Sequence, residues 1–300
     1  MRGVRGIGLV VVSVCLLVAA GCGASDSGAQ DVAGGQLTAP YLGQDPPGSE
    51  PQVFAPGIVS DPQFMEWCGT FSPDGSEYYF NRFVDDSLSK LFVTRFADGG
   101  WTSPEPCGFT GDYSAAEPHL TLDNKRLYFN WNRDGKALSD PTKMPEYYFV
   151  ERTTDGWSEP RDAGQGMFLS SALDGAIYTT DMSDRVATHK TYLARVETET
   201  GVFENYQRLA IEPGLGIQAH PGIAPDGSYI LFDIDGGSHM FVSFRQDDGT
   251  WGTAIDLTKH GLDPLAGGGY VSPDGKYLFF ALKDDIWWVD ASFIEDLRPN

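Results

Sequence analysis

From about residue 65 onward, apolar and polar residues alternate with period two in short runs, the pattern of half-buried β-strands. The runs come in pairs. GTFSPDGSEYYFNR (69–82), PHLTLDNKRLYFNW (118–131), LSSALDGAIYTTDM (169–182), PGIAPDGSYILFDI (221–234) and GYVSPDGKYLFFAL (269–282) each read as strand, Asp-Gly or Asp-Asn turn, strand. Glycine and asparagine accept the positive φ that tight hairpins demand. The turn aspartates Asp74, Asp123, Asp174, Asp226 and Asp274 are spaced by 49, 51, 52 and 48 residues, so one unit repeats about every fifty.

A second layer follows each hairpin. KLFVTRF (90–96), YYFVERT (147–153), TYLARVE (191–197), MFVSFRQ (240–246) and IWWVDAS (286–292) alternate as third strands, and the first four then turn into a fourth. Four antiparallel strands joined by short turns make one blade of a propeller. The fifth unit ends in FIEDLRPN and lacks its outer strand, while QVFAPGIVS (52–60) is a strand without a blade. The expected fold is therefore an all-β, five-bladed β-propeller of four-stranded antiparallel blades, closed by the N-terminal strand 52–60 acting as the outer strand of the last blade. The alternative, six blades, needs about fifty further residues, which only the segment before residue 51 could supply.

The FSPDG and APDG hairpins resemble the WD40-like propeller repeats of TolB-type periplasmic proteins from bacteria, over essentially all of 52–300. The resemblance implies the fold and says little of activity, since that family spans binding proteins, protease-associated domains and a few carbohydrate-active enzymes. The third copy departs furthest, with Leu173 where three others carry proline.

The N-terminus has a different pattern. Arg2 and Arg5 precede an apolar stretch from Ile7 to Ala20, and the small residues Ala19, Ala20 and Gly21 lead to Cys22. At about fourteen residues the stretch is short of the roughly twenty that span a bilayer, and it reads as a secretory signal. A cysteine just after the cleavage site resembles the bacterial lipoprotein signal, which makes Cys22 the expected point of lipid attachment. Residues 1–21 are then the signal peptide, 22–50 a flexible tether rich in Gly, Ser, Asp, Gln and Pro, and 51–300 the propeller. The expected address is exported and membrane-anchored, at the outer membrane or cell surface.

The formal charge of −21 becomes −23 once Arg2 and Arg5 leave with the signal. So acidic a chain disfavours nucleic acid and anionic lipid and permits cations, neutral sugars and basic peptides. Cys68 and Cys107 are the cysteines of the folded part, and in an oxidising compartment they are expected to pair. The chain is expected to be a monomer whose partners are an envelope protein or a glycan, with the lipid anchor its contact to the membrane.

If the innermost strand of each blade descends from the upper face, residues six before the turn aspartate ring the upper mouth of the channel. They are Cys68, Glu117, Phe168, His220 and Gly268. Seven after it, Asn81, Asn130, Asp181, Asp233 and Ala281 return to that level. Glu117, His220, Asn81, Asn130, Asp181 and Asp233 are the candidate ligand-binding residues. His119, two positions beyond Glu117, is expected on the same strand face as a core histidine. No G-x-S-x-G, H-E-x-x-H or C-x-x-C motif is present, DIDGG (233–237) reads as a hairpin turn, and neither a metal nor another cofactor is expected. A binding or scaffolding module leads as the functional reading. The alternative is a carbohydrate-active lyase or hydrolase working through acidic and histidine side chains at the mouth.

Overall fold

The computed structural model describes residues 40–85, 88–133, 146–234 and 237–299; the signal sequence, Cys22 and most of the tether lie outside them. Five antiparallel sheets succeed one another along the chain. The first strand, β1 (Gln52–Val53), belongs to the last of them. Blade one comprises β2 (Met65–Phe71), β3 (Glu77–Asp85) and β4 (Leu88–Ala97), with its outer position split into β5 (Gly100–Trp101) and β6 (Glu105–Pro106). Blade two repeats this with β7 (Ser114–Leu120), β8 (Arg126–Asn132), β9 (Glu146–Thr153), β10 (Gly156–Trp157) and β11 (Arg161–Gln165). Blade three, for all its divergence, has the full set of β12 (Leu169–Ser171), β13 (Ile177–Asp181), β14 (Tyr192–Glu197) and β15 (Glu204–Arg208). Blade four is β16 (Ala219–Ile223), β17 (Tyr229–Ile234), β18 (Ser238–Phe244) and β19 (Ile255–Asp256), and blade five is β20 (Gly267–Val271), β21 (Tyr277–Leu282) and β22 (Asp285–Asp290), completed by β1.

The repeated turn explains the repeated sequence. In each hairpin the aspartate Oδ1 accepts the backbone N–H two residues on, that of Ser76, Lys125, Ala176, Ser228 or Lys276. The residue between takes positive φ, from 60° at Asn124 to 82° at Gly175. Period-two alternation then sends successive side chains of the second strand into different interfaces. Tyr78 and Phe80 pack towards blade five and Tyr79 towards blade two; Leu127 and Phe129 pack towards blade one and Tyr128 towards blade three. Five apolar clusters result, one at each junction of neighbouring blades. Between blades four and five the inner strands approach so closely that a Cβ on Gly222 would lie 2.2 Å from the carbonyl oxygen of Gly269, which no larger residue allows.

The N-terminal strand closes the ring, Gln52 pairing with Trp288 and Val53 with Trp287. It is shorter than the expected 52–60. Phe54 still donates its N–H to Ile286 O, but at Pro56 and Gly57 the chain turns, and Ile58 and Val59 donate back to Ala55 O. The coil remains structural, for Phe54 and Val59 are fully buried. So is the end of the expected tether. Tyr41 packs its ring against Phe71, Tyr277 and Trp288 and donates its hydroxyl to Asp274 at 2.8 Å, and Gln44 bonds Val53 O and Ala55 N. The folded unit thus includes residues 41–50, which the polar composition of that segment had assigned to the tether.

Beneath this strap lies a buried ion pair. Arg82 donates Nε to Glu66 at 2.5 Å and Nη2 to the carbonyls of Ile58 and Val59, with Phe64, Phe80 and Phe92 around the guanidinium.

The expected Cys68–Cys107 pairing is corrected by the structure, in which both are free, buried thiols. Cys68 is on the inner strand β2, whereas Cys107 follows the outer β6 and donates its N–H to Leu91 of the third strand. Strands sit about 4.8 Å apart, so inner and outer positions are roughly 14 Å apart, twice what a disulfide spans.

Candidate functional site

Inner strands of four blades share a departure from regular pairing. In β7, Ala116 pairs with Asn130 and His119 with Tyr128, so three steps on one strand face two on its partner. The same extra residue occurs between Glu66 and Gly69, Ala219 and Gly222, and Gly267 and Tyr270. Each is a β-bulge, a device that re-aims a side chain. Blade three has no such bulge in its short inner strand, but Phe168 just before it turns in the same way. Glu117, Phe168, His220 and Gly268 have φ of 54°, 54°, 52° and 64°. Four of the five positions expected at the mouth are therefore left-handed, and three of those are not glycine.

Contacts join these positions across the blades. Glu117 Oε2 accepts the Tyr147 hydroxyl and, at 2.9 Å, the N–H of Phe168; the Tyr147 oxygen also accepts that N–H at 2.6 Å. The Phe168 ring lies 5.3 Å from the imidazole of His220 and the Trp67 indole 5.7 Å from it. His220 Nδ1 is 2.8 and 2.9 Å from the two Asp233 oxygens, one of which also accepts the N–H of Gly268. Cys68 points its thiol at Asn81 Oδ1, 3.1 Å away.

Charge follows this geometry. Burial alone would lower the pKa of His220, but the charge and hydrogen bond of Asp233, with the charge of Glu117, outweigh it and raise the pKa. Burial pushes the Cys68 thiol well up, and Glu117 adds to the effect. Tyr147 is raised by burial and by Glu117, so it stays a hydrogen-bond donor. Among the described residues, no three His, Cys, Asp or Glu side chains are grouped as metal donors.

The expected residues thus separate. Glu117 and His220 are linked through Phe168, the first partly exposed and the second buried with Nε2 making no hydrogen bond among the described residues. Asp233 lies behind His220 with no exposed side-chain surface, so it orients the imidazole rather than meeting a ligand. Asn81 is likewise internal, accepting from Cys68 and donating to Ser89. Asn130 is buried and its Oδ1 has no partner among the described residues. Asp181 turns away to Arg208 on β15, Nε to Oδ2 2.6 Å; burial would raise its pKa, but bonds from Ser183 and Arg208 hold it below the usual carboxylate range. His119 does not share a face with Glu117, because the bulge reverses the alternation between them. It bonds Ser171 Oγ of blade three at 2.8 Å, and burial lowers its pKa to about 3.

Trp67 and Tyr147 are part of the site and carried no signal in the sequence. Trp67 precedes the position counted from the turn, and Tyr147 sits in an aromatic strand whose neighbours are core.

A concavity of about 160 Å³ lies at the opposite ends of the inner strands, lined by Thr121, Asp123, Arg126, Ser171 and Leu173. Its one cation, Arg126, is already engaged by Glu151 and by the carbonyls of Thr198 and Glu199.

No family model matches the sequence, and no curated relative is found. Among solved structures, a protein of unknown function from Dyadobacter fermentans superposes with a TM-score of 0.51 at 16% identity, covering 81% of this chain and 82% of that one. The likeness is one of fold. A TolB-like protein from Agrobacterium tumefaciens matches with a TM-score of 0.47 at 19% identity over 74% of this chain and 72% of its own. A periplasmic gluconolactonase from Pseudomonas aeruginosa gives 0.45 at 16% identity over 71% and 63%. Among the described residues no helix is long and apolar enough to cross a membrane.

Proposed function

We propose that this propeller is an exported, lipid-anchored binding module of the cell envelope, and that its ligand enters the channel mouth at Glu117 and His220. One observation carries the reading. Glu117, Phe168 and His220 all hold positive φ at equivalent places, a conformation that costs a non-glycine residue on the order of 1–3 kcal/mol and clusters where ligands are clamped. Three such residues in contact around one opening are dear to maintain for structure alone. The anchor is Cys22, and the leader and acidic composition suit an extracytoplasmic protein that meets glycans or basic groups.

Two experiments test this. Replacing Cys22 with serine should move the protein from the membrane to the soluble fraction; persistence in membranes after a high-salt wash removes the lipoprotein. The soluble Cys22→Ser chain is then screened against glycans and peptidoglycan fragments. Binding that His220→Gln weakens supports a ligand site at the mouth, and binding indifferent to that substitution places the ligand elsewhere.

His220 favours a second reading. Asp233 fixes its Nδ1 and leaves Nε2 for proton transfer, as in histidines of acid–base catalysis. A carbohydrate-active lyase or hydrolase here would use Glu117 with His220, since Asp233 is sealed off. Turnover of an oligosaccharide abolished by His220→Gln would favour catalysis over binding.

A further inference from the structure

Glu117 differs from other shielded carboxylates of the molecule in its partners. Glu66 meets Arg82, Glu77 meets Arg95 and Arg152, and Asp181 meets Arg208. No lysine or arginine among the described residues pairs with Glu117. Both donors to its Oε2, the Tyr147 hydroxyl and the Phe168 N–H, are uncharged. Oε1 accepts no hydrogen bond among the described residues, and it is not one of the buried polar atoms left without a partner, so it reaches solvent at the mouth. Its charge favours a proton on the nearby His220, but no lysine or arginine among the described residues neutralises it.

Its surroundings are aromatic. Phe168 bonds it through its backbone N–H and Tyr147 through its hydroxyl, and the Phe168 ring and the partly exposed indole of Trp67 both lie against the neighbouring His220. Aromatic rings beside a carboxylate suit an organic cation, whose charge meets the carboxylate and whose C–H surface meets the rings. The field of a chain with net charge −21 raises the local concentration of cations further.

We propose that the channel mouth takes the protonated amine of a small organic cation, with Glu117 Oε1 as its counter-charge and Trp67 as an apolar wall. This rests on the mouth being a ligand site. The amine has two sources, a free molecule such as an amino sugar or a lysine side chain of a peptide.

The test is calorimetric titration of the Cys22→Ser chain at neutral pH with two pairs of probes. Glucosamine is compared with N-acetylglucosamine, and Nα-acetyl-lysine amide with its Nε-acetylated form. The cationic member of one pair should bind at least about tenfold more tightly than its neutral counterpart, and the pair that shows it identifies the source. Glu117→Gln should abolish that preference, whereas Glu117→Asp, which keeps the charge, should retain part of it. Equal binding of neutral and cationic members, with Glu117→Gln without effect, overturns the inference and leaves a neutral-ligand site standing. A charge preference that survives Glu117→Gln overturns it too. Failure of all four probes also overturns it, and the glycan and peptidoglycan screen then decides the broader reading.

Discussion

The junction of blades five and one and the mouth of the channel are both crossings between blades, built on opposite terms. At the junction, Phe54, Phe71, Tyr78 and Trp288 are sealed from water, Tyr41 covers them, and the single buried carboxylate, Glu66, has an arginine. At the mouth, Glu117 keeps one oxygen in solvent with no arginine on it among the described residues, and Glu117, Phe168 and His220 all hold positive φ. The first region is arranged to hold the ring shut. The second carries backbone strain and a carboxylate without an arginine among the described residues, the features on which the proposed site rests.

Deletion of the strap is the hardest blow to this contrast. Removing residues up to 39 should leave the thermal midpoint unchanged, as expected of a leader and a polar tether. Removing residues up to 50 takes away Tyr41 and Gln44 and should cost roughly 3–5 kcal/mol, the usual range for losing a large buried aromatic. Removing residues up to 60 also strips Phe54, Val59 and the pairing with β22, and should leave too little of the junction for a soluble protein. Equal midpoints for the first two truncations would mean that the strap is not part of the fold.

Arg82→Ala comes next. It leaves Glu66 buried and uncompensated, for which roughly 3–5 kcal/mol is expected. Thermal melts of Arg82→Ala beside Arg208→Ala, whose partner Asp181 lies on a more exposed pair, should separate the two by at least about 2 kcal/mol. Similar losses would show that the pair under the strap is nothing special.

How far each region could be read from the sequence follows from the forces that build it. Blade count, hairpins and closure were legible because turn aspartates and period-two aromatics are local signals that state their own geometry. The bulge was not. Nothing in AEPHL announces that Glu117 will adopt positive φ, so alternation placed His119 on the wrong face while the count from Asp123 still brought Glu117 to the mouth. The Asp181–Arg208 bond was not legible, because the arginine lies 27 residues away on an outer strand. Tyr41 was missed since an isolated aromatic in a polar stretch has no period.

Of smaller size is the effect of pH through His119. Burial holds its pKa near 3, against about 6.5 in the unfolded chain, so the unfolded state binds the extra proton first. Stability from the neutral ring is present above about pH 6.5 and falls with pH by up to about 1.4 kcal/mol per unit between them. His220 works the other way, because its raised pKa means that the folded state binds its proton first. Urea denaturation should therefore show a shallower fall between about pH 6.5 and 5 in His119→Gln than in the parent chain, whereas His220→Gln should lose the stability that the parent chain gains as the pH falls towards about 6.5 from above. Parallel curves for all three would deny that the two rings sit in different electrostatic surroundings.

The smallest expected change is in the stability of Glu117→Gln, and it bears most directly on what the mouth is for. Glutamine can present one oxygen to the Tyr147 hydroxyl and the Phe168 N–H, so the uncharged donors keep a partner. What disappears is a negative charge, half withdrawn from water, that no lysine or arginine among the described residues offsets. Relieving that charge works against two losses, the attraction it exerts on a protonated His220 and the greater strength of hydrogen bonds to a carboxylate. The balance should lie within about 1 kcal/mol of zero near neutral pH and move towards stabilisation as the pH rises and His220 sheds its proton. A midpoint lowered by more than about 2 kcal/mol, measured at pH 8 where that proton matters least, would show that the carboxylate is a structural brace between blades two and three, and the division between a region that holds and a region that binds would fall.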